Sequence, residues 1–319
     1  MTRCLLQTCV MCALALLSSL AHAQTYPSRT ITIIQPLAAG GPSGIEARII
    51  AAKIQERLKV TTIVESRPGA GTLVGTNIVA KATPDGYTLG HLYLSQYSNV
   101  FNKDGPADPL QHFEIIGSNW IAPFVLSVNN ETSKAKTLAE FIAYAKANQG
   151  KLNYANTSNT VRLTQETFNK LAGIQMQGID YKGNSQASTA LLANEVQSYF
   201  GTVGGAAANT KTGKVVVLGV ADDKRMPGLP DVPTMTEQGY PVKAYLTGAV
   251  YAPAGVPKNV VAILEPIVRE AVVSTEMERV ILQQRGRALT VTREEYAKIL
   301  RDEIDFWRGA AKANNFQPQ

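Results

Sequence analysis

Apolar runs and helical periodicities alternate along most of the chain. Residues 31–36 read ITIIQP, a short apolar run rich in β-branched residues that predicts a buried strand. Residues 44–58, GIEARIIAAKIQERL, carry apolar residues at helical spacing along two stripes: Ile45, Ile49 and Ala52, and Ile50, Ile54 and Leu58. TTIVES (61–66) returns to a strand pattern, VGTNIVAKA (74–82) predicts a short helix, and Pro84-Asp85-Gly86 predicts a turn. YTLGHLYL (87–94) predicts a third strand. Strand, helix, strand, helix, strand in this order predicts a parallel α/β sheet.

A second unit repeats the rhythm. FVLSVN (124–129) predicts a strand, and 137–148 a helix opened by a capping box, Thr137 to Glu140. Strands over 152–155, 175–181 and 196–200 alternate with helices over 161–172 and 185–193, and VVVLGVA (215–221) predicts another buried strand. The C-terminal part reads as mostly helical. Pro257 suits the first turn of a helix leading through 260–273. Ser274 is placed to cap EMERVILQQR, with Gly286 as its stop. Thr292 and Glu295 form a capping box for a last helix, whose face carries Tyr296, Ile299, Leu300, Ile304 and Trp307. No low-complexity tract, short repeat or sharp linker interrupts the alternation. That pattern predicts two α/β lobes joined by crossing strands near 122–126 and 240–250.

The first 23 residues stand apart. Arg3 supplies a basic start, Leu5 to Leu20 an apolar stretch, and Ala21-His22-Ala23 a small-x-small cleavage site. The expectation is a signal peptide cleaved after Ala23, with export to the periplasm. All three cysteines, Cys4, Cys9 and Cys12, fall in this leader, so the chain from Gln24 onward forms no disulfide and offers no thiolate or Cys-ligated zinc. The full chain carries a formal net charge of +6, which loss of Arg3 lowers to +5. The positive residues are dispersed, and no basic block points to nucleic acid. At 45% apolar and 18% charged, 319 residues hold enough core to fold without staples.

Catalytic signatures are missing. There is no HExxH, and His91 and His112 lie too far apart in the sequence to suggest a metal cluster. GPSG (41–44) lacks the spacing of a nucleophile elbow, and the Ser133-to-Lys136 match to SxxK lies in a polar loop. Gly40-Gly41 lacks the lysine of a P-loop. What remains is a pair of glycine-rich loops, PLAAGGPSG (36–44) and RPGAGTLVG (67–75), each following a strand and opening a helix. Exposed backbone N–H groups and a helix N-terminus there favour an anion, at the strand ends where open α/β folds bind ligands. Tight turns between strand and helix require glycine in any case, so a purely structural reading stays open.

These segments resemble a known family. YPSRTITIIQPLAAGGPSGIEARIIA is similar to the start of a mature Bug protein, the substrate-binding component of tripartite tricarboxylate transporters, and ESRPGAGTLVGTNIVAKATPDGYTLG to that family's second signature. LNYAN, YKGN, LPDVPTMTEQGYP and YAPAGVPK resemble later signatures in order, so the resemblance spans 26–316. It implies a periplasmic binding protein fold: lobe 1 over 24–123 plus 245–319, lobe 2 over 124–244, and a cleft between them. It implies capture of a small carboxylate by lobe closure and delivery to a membrane permease, without cofactor, metal or catalytic residue, by a monomer. Carried over position by position, lobe 1 would contribute Leu37, Ala38, Gly40, Gly41, Ser43, Gly44, Gly71, Thr72, Ser95 and Gln96. Lobe 2 would contribute Asn156, Thr157, Ser158, Thr160, Arg162, Tyr181, Lys182, Gly183, Gly201 and Thr202.

Departures from the family pattern shape the expected ligand. Ala38 and Ala39 replace a common Pro-Pro, and Gly44 stands where an acidic residue is frequent. The stretch 196–205 lacks an acid usual after its strand, and the aromatic residue common in the family near the position of Thr247 is not matched, which implies that a bulky wall is missing there. The implied pocket is less negative than the family's norm, favouring a dicarboxylate or an aromatic carboxylate. Arg162 reads either as a bidentate partner of a distal carboxylate or as a solvated helix arginine. Lys182 reads as a wet ammonium on a packed stem, and Tyr93 and Tyr97 as ordinary packing or as stacking partners. Two rival functions share the resemblance: a co-receptor for a membrane sensor kinase, and an exported enzyme.

Overall fold

The structure, a computed structural model, describes residues 26–37, 39, 42–98, 100–226, 228–283 and 287–318. The leader with its cleavage site, Ala38, Gly40, Gly41 and Gly286 lie outside the described residues.

The first unit follows the predicted alternation. Strand β1 (Ile31–Gln35) leads to helix α1 (Pro42–Leu58), β2 (Thr62–Ser66), α2 (Leu73–Ala80) and β3 (Thr88–Leu92). β1 lies between β2 and β3, parallel to both. Ile31, Ile33, Ala47, Ile50 and Ile54 are fully buried, so the sheet and one stripe of α1 share a core. The other stripe predicted from periodicity is split: Ile49 is buried, but Ile45 is 37% exposed and Ala52 faces solvent. In its place α1 buries Glu46, a residue that periodicity alone reads as surface.

The largest difference from expectation is β4 (Phe113–Asn129), 17 residues long, of which the apolar pattern marked only the last six. It continues into the short helix α3 (Asn130–Ser133) and then α4 (Leu138–Ala147), whose capping box Thr137–Glu140 is present as predicted. Strands β5 (Leu152–Asn156), β6 (Met176–Asp180) and β7 (Ser198–Thr202) alternate with α5 (Asn159–Ala172), α6 (Asn184–Leu192) and α7 (Val203–Thr210). β8 (Val215–Val220), β9 (Tyr245–Pro253), α8 (Lys258–Val272), α9 (Thr275–Gln283), β10 (Arg287–Ala288) and α10 (Arg293–Ala313) complete the order. Pro257 is the N-cap of α8 and lies one residue before its first turn. Ser274 Oγ accepts the Met277 N–H at 3.2 Å, and Thr292 and Glu295 form their capping box.

The sheet is mixed, because β9 runs antiparallel to β4 along the whole of its own length. β9 pairs residues 113–123 of β4, while β7 and β8 pair residues 124–129 from either side. The strand order is β2-β1-β3-β9-β4-β7-β5-β6. β4 therefore carries the chain from one group of strands to the other, and β9 begins opposite Pro123 at the same level. The C-terminal helix α10 also bridges. Its middle buries Tyr296, Leu300, Glu303, Ile304 and Trp307, and its end lies against α5. There Lys170 Nζ donates to the Ala313 carbonyl at 3.1 Å and Asn314 Nδ2 to Thr167 Oγ1 at 3.4 Å.

Candidate ligand-binding site

Strand direction brings the predicted loops together. β3 is antiparallel to β9 and β9 to β4, so β1, β2 and β3 point the same way as β4. β7 runs against β4, with Thr202 at its carboxyl end opposite Phe124, and β5 and β6 run parallel to β7. The carboxyl ends of the two strand groups consequently aim at each other across the middle of β4. The loops beyond them hold the candidate residues and open helices α1, α2, α5, α6 and α7.

On the first side, Ser43 is 7% exposed and His91 and Glu46 are fully buried. Ser43 Oγ lies 3.3 Å from His91 Nδ1, and Asn119 Nδ2 lies 3.0 Å from His91 Nε2. Asn119 Nδ2 also donates to Glu46 Oε2 at 3.1 Å, and Trp120 Nε1 donates to the same oxygen at 2.6 Å. Turning the Asn119 amide over would set its oxygen against a carboxylate, so its nitrogen faces both partners. His91 Nε2 is then an acceptor and Nδ1–H donates to Ser43. Burial lowers His91 to about 4 from its usual 6.5, which keeps the ring neutral. Ser, His and Glu in contact resemble a catalytic relay, but this set is sealed in the interior. It pins the first turns of α1 to β3 and β4.

Ser95 and Gln96 lie on a 3-10 turn (Leu94–Tyr97) past β3. Ser95 is 1% exposed and directs its hydroxyl toward the buried Glu303 rather than toward solvent. Thr247 Oγ1 donates to Glu303 Oε2 at 2.7 Å, while Ser95 Oγ and Trp307 Nε1 close no hydrogen bond. Burial raises Glu303 to about 7 from its usual 4.5. The native state then binds more protons than the unfolded chain between pH 4.5 and 7, so this carboxyl favours folding below 4.5 and opposes it above 7. Glu303→Gln should gain about 3 kcal/mol of unfolding free energy over the wild type at pH 8, with the gain vanishing by pH 4.5. Urea denaturation of both proteins at pH 8, 6 and 4.5 measures the difference, and a constant offset would exclude this origin. His91 has the opposite sign, since its contribution is full above pH 6.5 and is lost toward pH 4, but it is common to both proteins and cancels.

Thr72 adopts φ 89°, a left-handed conformation rare for a β-branched residue, and its buried Oγ1 has no partner. Gly71 shares its turn (Ala70–Thr72). Leu37 is 40% exposed, and its N–H already donates to Gln35 Oε1 at 2.6 Å.

On the second side, Ser158 caps α5, and its Oγ lies 2.9 Å from Thr160 Oγ1. Asn156 is buried and donates to Asp180 Oδ1. Thr157 Oγ1 is 3.4 Å from the Tyr199 hydroxyl, which donates to Asn184 Oδ1 at 2.7 Å. Thr202 caps α7, accepting the Gly205 N–H at 3.4 Å. A Cβ at Gly201 would meet the Tyr199 ring at 2.5 Å, so that glycine makes room for a tyrosine rather than for a ligand. Arg162 Nε is 3.8 Å from Glu166 Oε1, one helical turn on, so its charge is shared with a carboxylate. Gly183 is the N-cap of α6 and Lys182 is exposed beside it. Tyr181 lines an open depression of about 490 Å³ with Ser185, Gln186, Thr189, Ala190 and Glu195. Tyr93 and Tyr97 are buried, with Tyr93 against Trp120 and Tyr97 against Phe113, as in ordinary packing. Among the described residues no group of three or more His, Cys, Asp or Glu is placed to hold a metal ion.

The model of the tripartite tricarboxylate transporter family receptor matches residues 46–315. The chain belongs to that family. The protein BugT of Bordetella pertussis (strain Tohama I) is 30% identical over 318 residues, 98% of this chain and 97% of its own length. Among solved structures, the periplasmic binding protein BugD is 27% identical, with 92% of this chain and 100% of that one covered and a TM-score of 0.73. MatC from Rhodopseudomonas palustris, with bound malate, is 27% identical, covers 89% of this chain and 99% of its own, and gives a TM-score of 0.70. The fold of this receptor is that of the periplasmic binding proteins. No helix among its described residues is long and apolar enough to cross a membrane.

Sequence reasoning passed over Gln35, Glu46 and Asn119 at this site. Only Glu46 left a signal, a carboxylate one position from the buried Ala47 in an otherwise apolar stripe.

Proposed function

We propose that this receptor captures a small carboxylate in the periplasm and delivers it to the membrane permease of a tripartite tricarboxylate-type transporter. Lobe 1, residues 24–123 with 245–319, and lobe 2, residues 124–244, close on the ligand as a monomer. The leader is removed after Ala23. No cofactor takes part, and binding requires no chemical step. The observation that carries this reading is the meeting of donor-rich strand ends across the middle of β4. Five helices begin in those loops, and helix N-termini with free N–H groups favour an anion. The malate bound to the similar MatC supports a dicarboxylate, and an aromatic carboxylate is the other favoured class.

The test is a thermal-shift screen of the protein from Gln24, refolded to strip bound ligand. The panel holds aliphatic dicarboxylates, tricarboxylates, aromatic acids and acidic amino acids. A ligand at one hundred times its dissociation constant adds about 2.7 kcal/mol, a rise of several degrees in melting temperature. A raised melting temperature with at least one carboxylate is expected. A flat panel rejects carboxylate capture.

A further inference from the structure

Glu303, in the middle of α10, is buried with side chains of three elements around it. Thr247 of β9 donates to its Oε2 at 2.7 Å. Ser95, on the 3-10 turn past β3, and Trp307, one turn further along α10, bring their polar atoms toward the same carboxyl. Neither closes a hydrogen bond, and Glu303 Oε1, Ser95 Oγ and Trp307 Nε1 are all buried without a partner. An ionised carboxylate offers about four acceptor sites, so a single closed bond does little to hold its charge.

Among the described residues the titratable groups that face this carboxyl are neutral. They are Tyr245 and Tyr251 from β9 and Tyr296 from α10 itself, and burial raises all three hydroxyls well above their usual range. Tyr97, on the Ser95 turn, gives its hydroxyl to Asn77 Oδ1 instead. Nearby charges are paired or negative. Lys298 holds Asp302 at 2.6 Å, Arg301 holds Asp108 at 3.1 Å, and Arg293 takes Glu114 of β4 at 2.6 Å. Asp302, with Asp222 and Asp223 beyond β8, adds negative charge near Tyr245.

Placement gives the carboxyl its reach. Ser95 precedes Gln96, whose Nε2 is buried without a partner, in the turn at the carboxyl end of β3. Thr247 lies opposite Ile121, two residues from the Tyr245–Pro123 pair where β9 and β4 pass between the strand groups. Helix α10 touches both groups, with its end on α5. A carboxylate held on the loop beyond β3 brings a second negative charge toward Glu303, and like charges disfavour the ionised form. The two forms also use Ser95 in opposite senses. The ionised carboxyl accepts from its hydroxyl, whereas the protonated one donates to it and turns the Ser95 hydrogen away.

We propose that Glu303 couples ligand capture to proton uptake: its carboxyl takes a proton from solvent when the anion enters the cleft and returns it when the anion leaves. The inference rests on the carboxylate-binding reading above and adds a regulation to that site. Burial raises Glu303 to about 7 in the empty protein, and the bound anion moves it higher. The bound state then holds more protons than the free one, so affinity is full below about 7 and falls as pH rises past it.

The test is isothermal titration of the protein from Gln24 with malate and with adipate, diacids already ionised between pH 6.5 and 8.5. Titration at pH 7.5 in two buffers of different ionisation enthalpy counts the protons taken up. The wild type should take up a fraction of a proton per ligand. It should bind roughly 5- to 10-fold more tightly at pH 6.5 than at pH 8.5 if the anion favours the protonated form tenfold. Glu303→Gln fixes the neutral form, so uptake should vanish and affinity should stay within about twofold across the range. Thr247→Val removes the hydrogen bond to the ionised form and should move the fall in affinity to higher pH, which a merely structural role for Glu303 would not do. A wild type with no proton uptake and a flat profile overturns the proposal while carboxylate capture stands. So does a Glu303→Gln protein that keeps the wild-type uptake and pH dependence. Should Glu303→Gln fail to fold, an unmoved profile in Thr247→Val overturns the assignment. If neither diacid binds at any of these pH values, the proposal falls, and a flat result across the wider panel then removes carboxylate capture as well.

Discussion

Glu46→Ala should unfold at a free energy about 3–5 kcal/mol below the wild type. The carboxylate is fully buried and accepts hydrogen bonds from Trp120 Nε1 at 2.6 Å and Asn119 Nδ2 at 3.1 Å. Truncation leaves both donors in the interior, and each unpaired buried donor costs about 1–3 kcal/mol. The emptied space adds a cavity term. Glu46→Gln keeps an acceptor oxygen and should lose less. The loss has a functional side, because the same carboxylate ties α1 to β4 and so sets where Ser43 and Gly44 sit. Ligand affinity should therefore fall in Glu46→Ala even at temperatures where the protein is folded. Urea denaturation gives the stability, and titration with a ligand found in the panel gives the affinity. A loss under about 1 kcal/mol would show that the donors find water or new partners on relaxation.

Trp307→Ala should cost about 3–5 kcal/mol, the range for truncating a large aromatic in a packed core. Trp307 is fully buried on α10, with ring contacts to Phe101 at 5.8 Å and Phe306 at 4.9 Å between centroids. Its position one turn past Glu303 makes it part of the surface that seats α10 on the first strand group. The end of α10 rests on α5 of the other group, so loosening Trp307 slackens a connection between them. Trp307→Phe should recover much of the stability, since most of the apolar area remains. Hydrogen exchange of the α10 amides supplies an independent readout: protection should drop along α10 in Trp307→Ala before it drops in β1. Equal loss in both would mean that α10 and the sheet open as one unit. Against a total stability of about 5–15 kcal/mol, either substitution takes a large share.

Local order was legible wherever one residue type satisfies a nearby backbone group. The capping boxes at Thr137–Glu140 and Thr292–Glu295 and the cap at Ser274 all stand where the sequence places them. Strands β1, β2 and β3 were legible because they are short, apolar and bounded by turn residues. Residues 113–123 were not, because Glu114, Gly117, Ser118 and Asn119 break the apolar run. Their strand state comes from pairing with β9, whose residues lie more than 120 positions along the chain. Helix α7 was missed for a related reason, since Val203-Gly204-Gly205 has poor helix propensity and is held by the Thr202 cap and its packing on β8.

By itself the sequence determined the alternation of strands and helices, the glycine-rich loops and the resemblance to the receptor family, because each is written in contiguous residues. Only the tertiary structure decided which polar groups are used up and which are free. Leu37 N–H and Gly201 are committed to neighbours inside the protein, Ser95 turns toward a buried carboxyl, and Arg162 lies beside Glu166. Gln35 Nε2, unremarked in the sequence, is left buried without a partner. Whether a donor is spent or available depends on partners distant in the chain, which strand order and helix packing bring near.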